Sequence, residues 1–179
     1  MIIKATISDA KALTAIALQS KAFWGYSDDL MQSWTDELTV SEQMISEMFV
    51  YTFLKEDKII GFYILNQPKE ETIELEFLFV LPKYIGQGIG NRLVQHSFEK
   101  AKNLKAKTMQ LLADPNAVPF YESKGFVNID KIQSTVFNRF LPLMKKKLSL
   151  ICRNSIKKID LKSNSIFKFQ NSIIWFQRN

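Results

Sequence analysis

Residues 72–103 restrict the fold of this chain most, because the hydrophobic period there changes from two to about 3.6 across a glycine-rich turn. Ile73, Leu75, Phe77 and Phe79 alternate with Glu74, Glu76, Leu78 and Val80, which predicts a strand with the first set on one face and the second on the other. Tyr84-Ile85-Gly86-Gln87-Gly88-Ile89-Gly90 follows and holds three of the six glycines. A helix from Gly88 to Asn103 comes next, with Leu93, Val94, Ser97, Ala101 and Leu104 on one buried arc and Lys100 as its charged exception. Strand, glycine turn and helix in that order require a helix packed on a sheet.

The turn itself has a chemistry. Glycines let the backbone bend tightly and bring N–H groups close to a ligand without a Cβ in the way. The helix after it has no acid in its first turn, so its positive end stays free for an anion. A phosphate or pyrophosphate cradle fits these facts; a turn required by packing alone is the other reading. A dinucleotide fingerprint would need glycine where Asn91 stands, and a P-loop would need Gly-Lys-Ser/Thr, which is absent.

Around this unit, residues 2–7 read as a strand, and Ser8 with Asp9 as caps for a helix to Phe23. Residues 24–48 read as two helical pieces, the second capped by Ser41. A hairpin over 49–54 and 59–65 turns at Lys55–Lys58, and a further strand covers 108–112. A short helix ends at Gly125, with Asn116 as its cap and Pro119 in its first turn, and strands near 126–137 and 139–147 complete a mixed α/β domain.

Charge divides the chain. Residues 149–179 hold 6 Lys and Arg against Asp160, a net of +5, which leaves 18 against 17 in residues 1–148. The body is thus nearly neutral, and no nucleic-acid surface is expected on it. The tail lacks Gly, Pro, Ala and Val; it is expected to be either a poorly ordered appendage, an added strand or a partner-binding segment. Cys152 is the only cysteine and His96 the only histidine, so neither disulfides nor a metal site is expected. A soluble, cytoplasmic protein without membrane span or signal peptide is the simplest expectation.

Two signatures then resemble the GNAT acetyltransferase family, in a subgroup of small bacterial enzymes. The first is Val80, Pro82 and Ile85-Gly86-Gln87-Gly88-Ile89-Gly90; the second is Asn116, Phe120-Tyr121 and Gly125-Phe126. Trp24-Gly25-Tyr26 and Leu141-Pro142 add to the likeness, which extends from Met1 to about Leu148 and leaves out the tail. Ile85 departs from the pattern, since the family usually carries Arg or Gln there. The resemblance implies a mostly antiparallel sheet of six to seven strands, flanked by about four helices and splayed at the cofactor site. It implies acetyl-CoA as cosubstrate, a primary amine of a small molecule or peptide as acceptor, and allows a homodimer.

On that resemblance the main chain of Leu78, Phe79 and Val80 holds the pantetheine arm, and residues 85–90 with Asn116 contact the cofactor. Tyr121 touches the cofactor and protonates the leaving sulfur. Glu76, or less directly Glu74, takes the proton of the amine, while Trp24 and Tyr26 form the acceptor wall. Lys83 and Arg92 are either phosphate contacts or an ordinary solvated face. An acyl-CoA-binding module without turnover, and an interaction protein working through the tail, are the alternative classes.

Overall fold

Residues 59–65 form an apolar run broken only by Gly61. The structure, a computed structural model that describes residues 1–134 and 139–148, buries this run on both faces as a central strand. The strands are β1 (Ile2–Lys4), β2 (Phe49–Lys55), β3 (Lys58–Leu65), β4 (Thr72–Val80), β5 (Thr108–Leu112), β6 (Val127–Gln133) and β7 (Phe140–Lys147). Among the described residues they make one seven-stranded sheet in the order β1-β2-β3-β4-β5-β7-β6. Only β4 and β5 run parallel; the other neighbours are antiparallel.

Among the described residues five helices flank it, against about four expected: α1 (Ala10–Ala22), α2 (Asp28–Ser33), α3 (Glu42–Glu47), α4 (Ile89–Asn103) and α5 (Val118–Ser123). Residues 24–48 do supply two helices, α2 and α3, each opened by a serine. Ser27 accepts from the Leu30 amide at 3.4 Å and Ser41 from the Met44 amide at 3.1 Å. The first strand is shorter than expected, because Asp9 accepts from the Thr6 amide at 2.7 Å and pulls residues 7–9 into a helical turn.

Each face of the sheet has its own core. On one, Leu93, Val94 and Phe98 of α4 pack with Tyr63, Leu65, Ile73, Leu75, Met109 and Met144. On the other, Leu13, Ile16 and Ala17 of α1 pack with Trp34, Ile45, Phe62, Ile64 and Phe77. Strand β4 contributes to both, and here the simple alternation fails. Ile64 pairs with Phe77, but Leu65 pairs with Leu75, so Glu76 is an extra residue. This bulge turns the strand over. Ile73 and Leu75 face α4 together with Leu78 and Val80, while Phe77 and Phe79 face α1. The tail at 149–179, with its expected disorder or added strand, lies outside the described residues.

His96 serves the fold. Its Nδ1 lies 2.7 Å from the hydroxyl of Tyr63, a fully buried side chain stacked on Tyr51. The bond lets the Tyr63 hydroxyl donate to a neutral imidazole, and burial lowers the His96 pKa below its ordinary 6.5, with Glu99 opposing and Lys100 adding. A lowered folded-state value means that the unfolded chain binds the proton more readily. The contribution of His96 is therefore whole above the unfolded value and is lost as pH falls through the folded one. Between pH 7.5 and 5.5 the melting temperature of wild type should fall further than that of His96→Gln, measured by circular dichroism in matched buffers.

Candidate active site

Strands β4 and β5 pair only through Thr72–Glu74 and Thr108–Gln110. Beyond that point they part, and between them opens a cleft of about 720 Å³. Its walls come from both sequence signatures and from α1: Phe77 to Val80, the glycine turn, Asn116 with Tyr121, and Ser20 with Lys21. The bulge at Glu76 sits where the strands separate, so Glu76 itself lines the cleft.

At one end the turn closes on itself, as the Gln87 side-chain amide donates to the Lys83 carbonyl at 2.7 Å. Gly86 has φ of +80° and Gly88 +78°, values that side-chain-bearing residues rarely adopt. A Cβ at either position would meet nothing within 4 Å, so the space beside the backbone is open. Gly88 caps α4, whose first N–H groups have no partner within the helix. A 15-residue helix with no acid in its first turn thus aims its positive end at an open cradle. Lys83 and Arg92 are turned to aromatic rings, Lys83 Nζ 4.9 Å from the centre of Tyr84 and the Arg92 guanidinium 4.6 Å from that of Phe53. The Ile85 side chain, more than a third exposed, lies on the cleft wall.

Tyr121 stands in α5 with its ring edge-on to Phe126 and Phe120. Its residue is buried yet lines the cleft, and among the described residues its hydroxyl makes no hydrogen bond. Burial pushes its pKa well above the ordinary tyrosine value, with Asp114 adding to the effect. The phenol therefore stays protonated near neutrality. Glu76 accepts from the Asn66 amide at 2.9 Å. Glu74 stays on the Glu76 side of the strand but lines a separate polar pocket with Asn66, Lys69, Thr72 and Gln110. Burial and then the nearby Glu76 charge raise its pKa, while Asn66 and Lys69 oppose.

Trp24 is on the cleft wall and Tyr26 is not, although the Tyr26 hydroxyl meets two residues that are, Asp114 and Asn116. Tyr26 donates to Asp114 at 2.8 Å and accepts from the Asn116 side-chain amide at 3.0 Å. Asp114 is the hub that sequence reading missed. Lys21 makes an ion pair with it, Arg139 reaches it at 3.3 Å, and the Asn116 amide donates to it at 2.9 Å. So Asp114, not Asn116, caps the turn before α5, and Asn116 is one of the residues it holds. Lys21 and Arg139 also lie over Trp34, 4.7 and 4.3 Å from the ring centre. One signal was available: Leu13, Ile16, Ala17 and Ser20 are the buried stripe of α1, and Lys21 continues it at helical spacing. A lysine on such a stripe needs a buried partner.

Burial alone would raise the Asp114 carboxyl, yet the bonds from Lys21 and the Asn116 amide hold it below the ordinary Asp range. Burial pulls the Lys21 ammonium down, opposed by Asp114 and Glu37 and reinforced by Arg139. Among the described residues, no group of three or more His, Cys, Asp and Glu could hold a metal, and no helix is long and apolar enough to cross a membrane.

Known proteins resemble this chain in sequence and in fold. Residues 13–148 match the model of the acetyltransferase (GNAT) domain. The chain is 25% identical over 131 residues to peptidyl-lysine N-acetyltransferase YiaC of Escherichia coli, a match covering 73% of this chain and 85% of that protein. In fold it is similar to the PaiA N-acetyltransferase of Thermoplasma acidophilum in complex with coenzyme A, with TM-score 0.71, 23% identity, and 82% and 98% of the two chains covered. It is also similar to YncA of Salmonella typhimurium with its cofactor acetyl-CoA, at TM-score 0.60 and 17% identity over 83% and 94% of the chains.

Replacing Asp114 would leave two buried cations without their acid. Asp114→Ala should cost about 3 kcal/mol of stability in urea denaturation at neutral pH. Because folding lowers the Asp114 pKa, the difference from wild type should shrink as pH falls from above the unfolded value of 3.8 through the folded one.

Proposed function

The chain belongs to the GNAT acetyltransferase family and is an acetyl-CoA-dependent N-acetyltransferase, and on that premise we propose that its acceptor is a primary amine of a small molecule or peptide. The observation that carries this reading is the cleft itself. It joins an open glycine cradle at a helix N-terminus to a channel walled by an exposed carboxylate and a protonated phenol.

The residues present fit acetyl-CoA. Residues 85–90 and the α4 N-terminus are suited to its pyrophosphate, through main-chain donors that Ile85 leaves intact. The main chain of Leu78, Phe79 and Val80, unpaired on the side from which β5 departs, is suited to the amides of the pantetheine arm. Asn116 and Tyr121 border the same channel. When bound, acetyl-CoA supplies an acetyl group already activated as a thioester.

The chain's own part is positioning and proton transfer. An amine arrives as an ammonium, since its pKa lies near ~10. Glu76 takes that proton, directly or through water, because it is the cleft-wall carboxylate at the bulge of β4, next to Phe77 and Leu78. Glu74, one pocket away, acts behind it by keeping the local charge negative. The Tyr121 hydroxyl, kept protonated by burial, gives a proton to the departing sulfur. One ammonium proton goes to Glu76 and on to solvent; an N–C bond then forms as the C–S bond breaks, and the second proton that nitrogen sheds offsets the one Tyr121 gives to sulfur. Trp24 walls the acceptor end, and Tyr26 supports it from behind through Asp114. Residues 1–148 make up the acetyltransferase domain, with 149–179 as a basic extension.

Titration with acetyl-CoA, desulfo-CoA and ATP tests the reading. Saturable binding of both CoA compounds and none of ATP is the expected result; absence of binding at millimolar cofactor would sink it. Tyr121→Phe should lower kcat to about one-hundredth while leaving the affinity for desulfo-CoA near that of wild type.

A further inference from the structure

A bulged residue has no partner across the strand, so its side chain swings freely unless something else holds it. Glu76 is such a residue, exposed on the cleft wall. One residue, Asn66, meets the bulge twice. It follows β3 directly, and its main-chain N–H donates to the Glu74 carbonyl at 3.0 Å, before the insertion. Its side-chain amide donates to Glu76 Oε2 at 2.9 Å, on the inserted residue itself.

Asparagine at the end of a strand commonly bonds its own neighbouring backbone and shapes a turn. Here the loop after β3 closes without that side chain. Lys69 and Thr72 exchange main-chain bonds at 2.9 and 3.0 Å, and the Gln67 side-chain amide donates to the Glu47 carbonyl at 2.6 Å. Among the described residues the Asn66 amide serves carboxylates instead. Besides Glu76 it meets Glu74, whose pKa is raised by burial and by the Glu76 charge while the Asn66 bond opposes the rise. The Asn66 Oδ1 atom is buried with no hydrogen-bond partner among the described residues. Such an orphan acceptor is a cost that stability alone does not explain. A carboxylate has two oxygens, and the amide takes one of them on Glu76.

We propose that Asn66 is a positioning residue for the proton transfer. Its amide holds Glu76 Oε2, fixes the inserted carboxylate at the cleft wall and leaves Oε1 to the acceptor ammonium. This rests on the acetyltransferase reading and on Glu76 as its base. A mere brace for the bulge would act differently, because its loss would disturb β4 as a whole and with it the main chain of Leu78 to Val80.

The test uses the full chain with Asn66→Leu, which keeps the volume and loses the donors, and Asn66→Ala as a smaller second variant. Three primary amines serve as probes: the peptide Gly-Lys-Gly, phenethylamine and 1,4-diaminobutane. With the best used of them, kcat/KM should fall about ten-fold, the worth of one charge-assisted bond. Melting temperature and desulfo-CoA affinity should stay at wild-type levels. In a Glu76→Gln background the same change should cost little more, since Asn66 acts through that carboxylate. An equal loss in both backgrounds would overturn the proposal, as would unchanged turnover in a folded Asn66 variant. So would a loss that comes with a lower melting temperature and weaker desulfo-CoA binding, or failure of both variants to fold, since each assigns Asn66 to the fold. Unchanged turnover in Glu76→Gln would remove the base and this inference with it, and leave acetyl transfer standing. Acetyl-CoA binding with no transfer to any of the three amines would overturn the inference too and spare the family reading. Failure to bind acetyl-CoA at all would overturn both.

Discussion

Everything in the cleft depends on one unpaired residue in β4. A strand paired evenly on both sides would have carried its hydrogen bonds through to Val80 and left no gap. Instead β5 stays with β4 for only three residues, and Glu76 is inserted opposite the junction of Ile64 and Leu65. The insertion has two effects. It turns the rest of β4 over, so Phe77 and Phe79 enter the core beneath α1. It also brings a carboxylate out at the place where the backbone of Leu78 to Val80 loses its neighbour. A polar opening inside a sheet is normally expensive, because main-chain groups go unpaired. Here those groups are what a ligand with amides of its own can use.

The second determinant is the Asp114 network, which joins parts distant in sequence. Lys21 comes from α1, Tyr26 from the loop after it, Asn116 from the turn before α5 and Arg139 from the residue before β7. Strictly structural demands would favour apolar residues at such a buried crossing, since ion pairs of this kind rarely gain on well-packed side chains. Their location at one end of the cleft, rather than deep in either core, suits a role in setting its charge.

Much of this was legible beforehand, and the reasons for the exceptions are physical. Period and turn chemistry are local properties, so the β2–β3 hairpin, the amphipathic α4 and the glycine cradle could be read from residues a few positions apart. The face pattern of β4 could not, because a bulge is fixed by pairing with β3, 10 or more residues away, and Glu76 looks in sequence like any alternating polar residue. Pro119 in a first helical turn points to Asn116 as the cap, yet Asp114 two residues earlier holds that place and Asn116 turns to Tyr26. Lys21 and Arg139 lie 118 positions apart in the chain, and only the fold, which brings both to Asp114, makes them neighbours. The roles of Glu76, Glu74 and Tyr121 rest on the proposal above, although each has a definite place beside the cleft.

The glycine turn bears on how freely this sequence can drift. Its donors belong to the peptide chain, and its shape is set by the sign of φ at Gly86 and Gly88. The exposed side chain at 85 can therefore change character without erasing the cradle, and the isoleucine there is one instance already present. What inheritance must preserve is a pair of backbone angles, and a search for relatives by side-chain identity alone will undervalue that kind of memory.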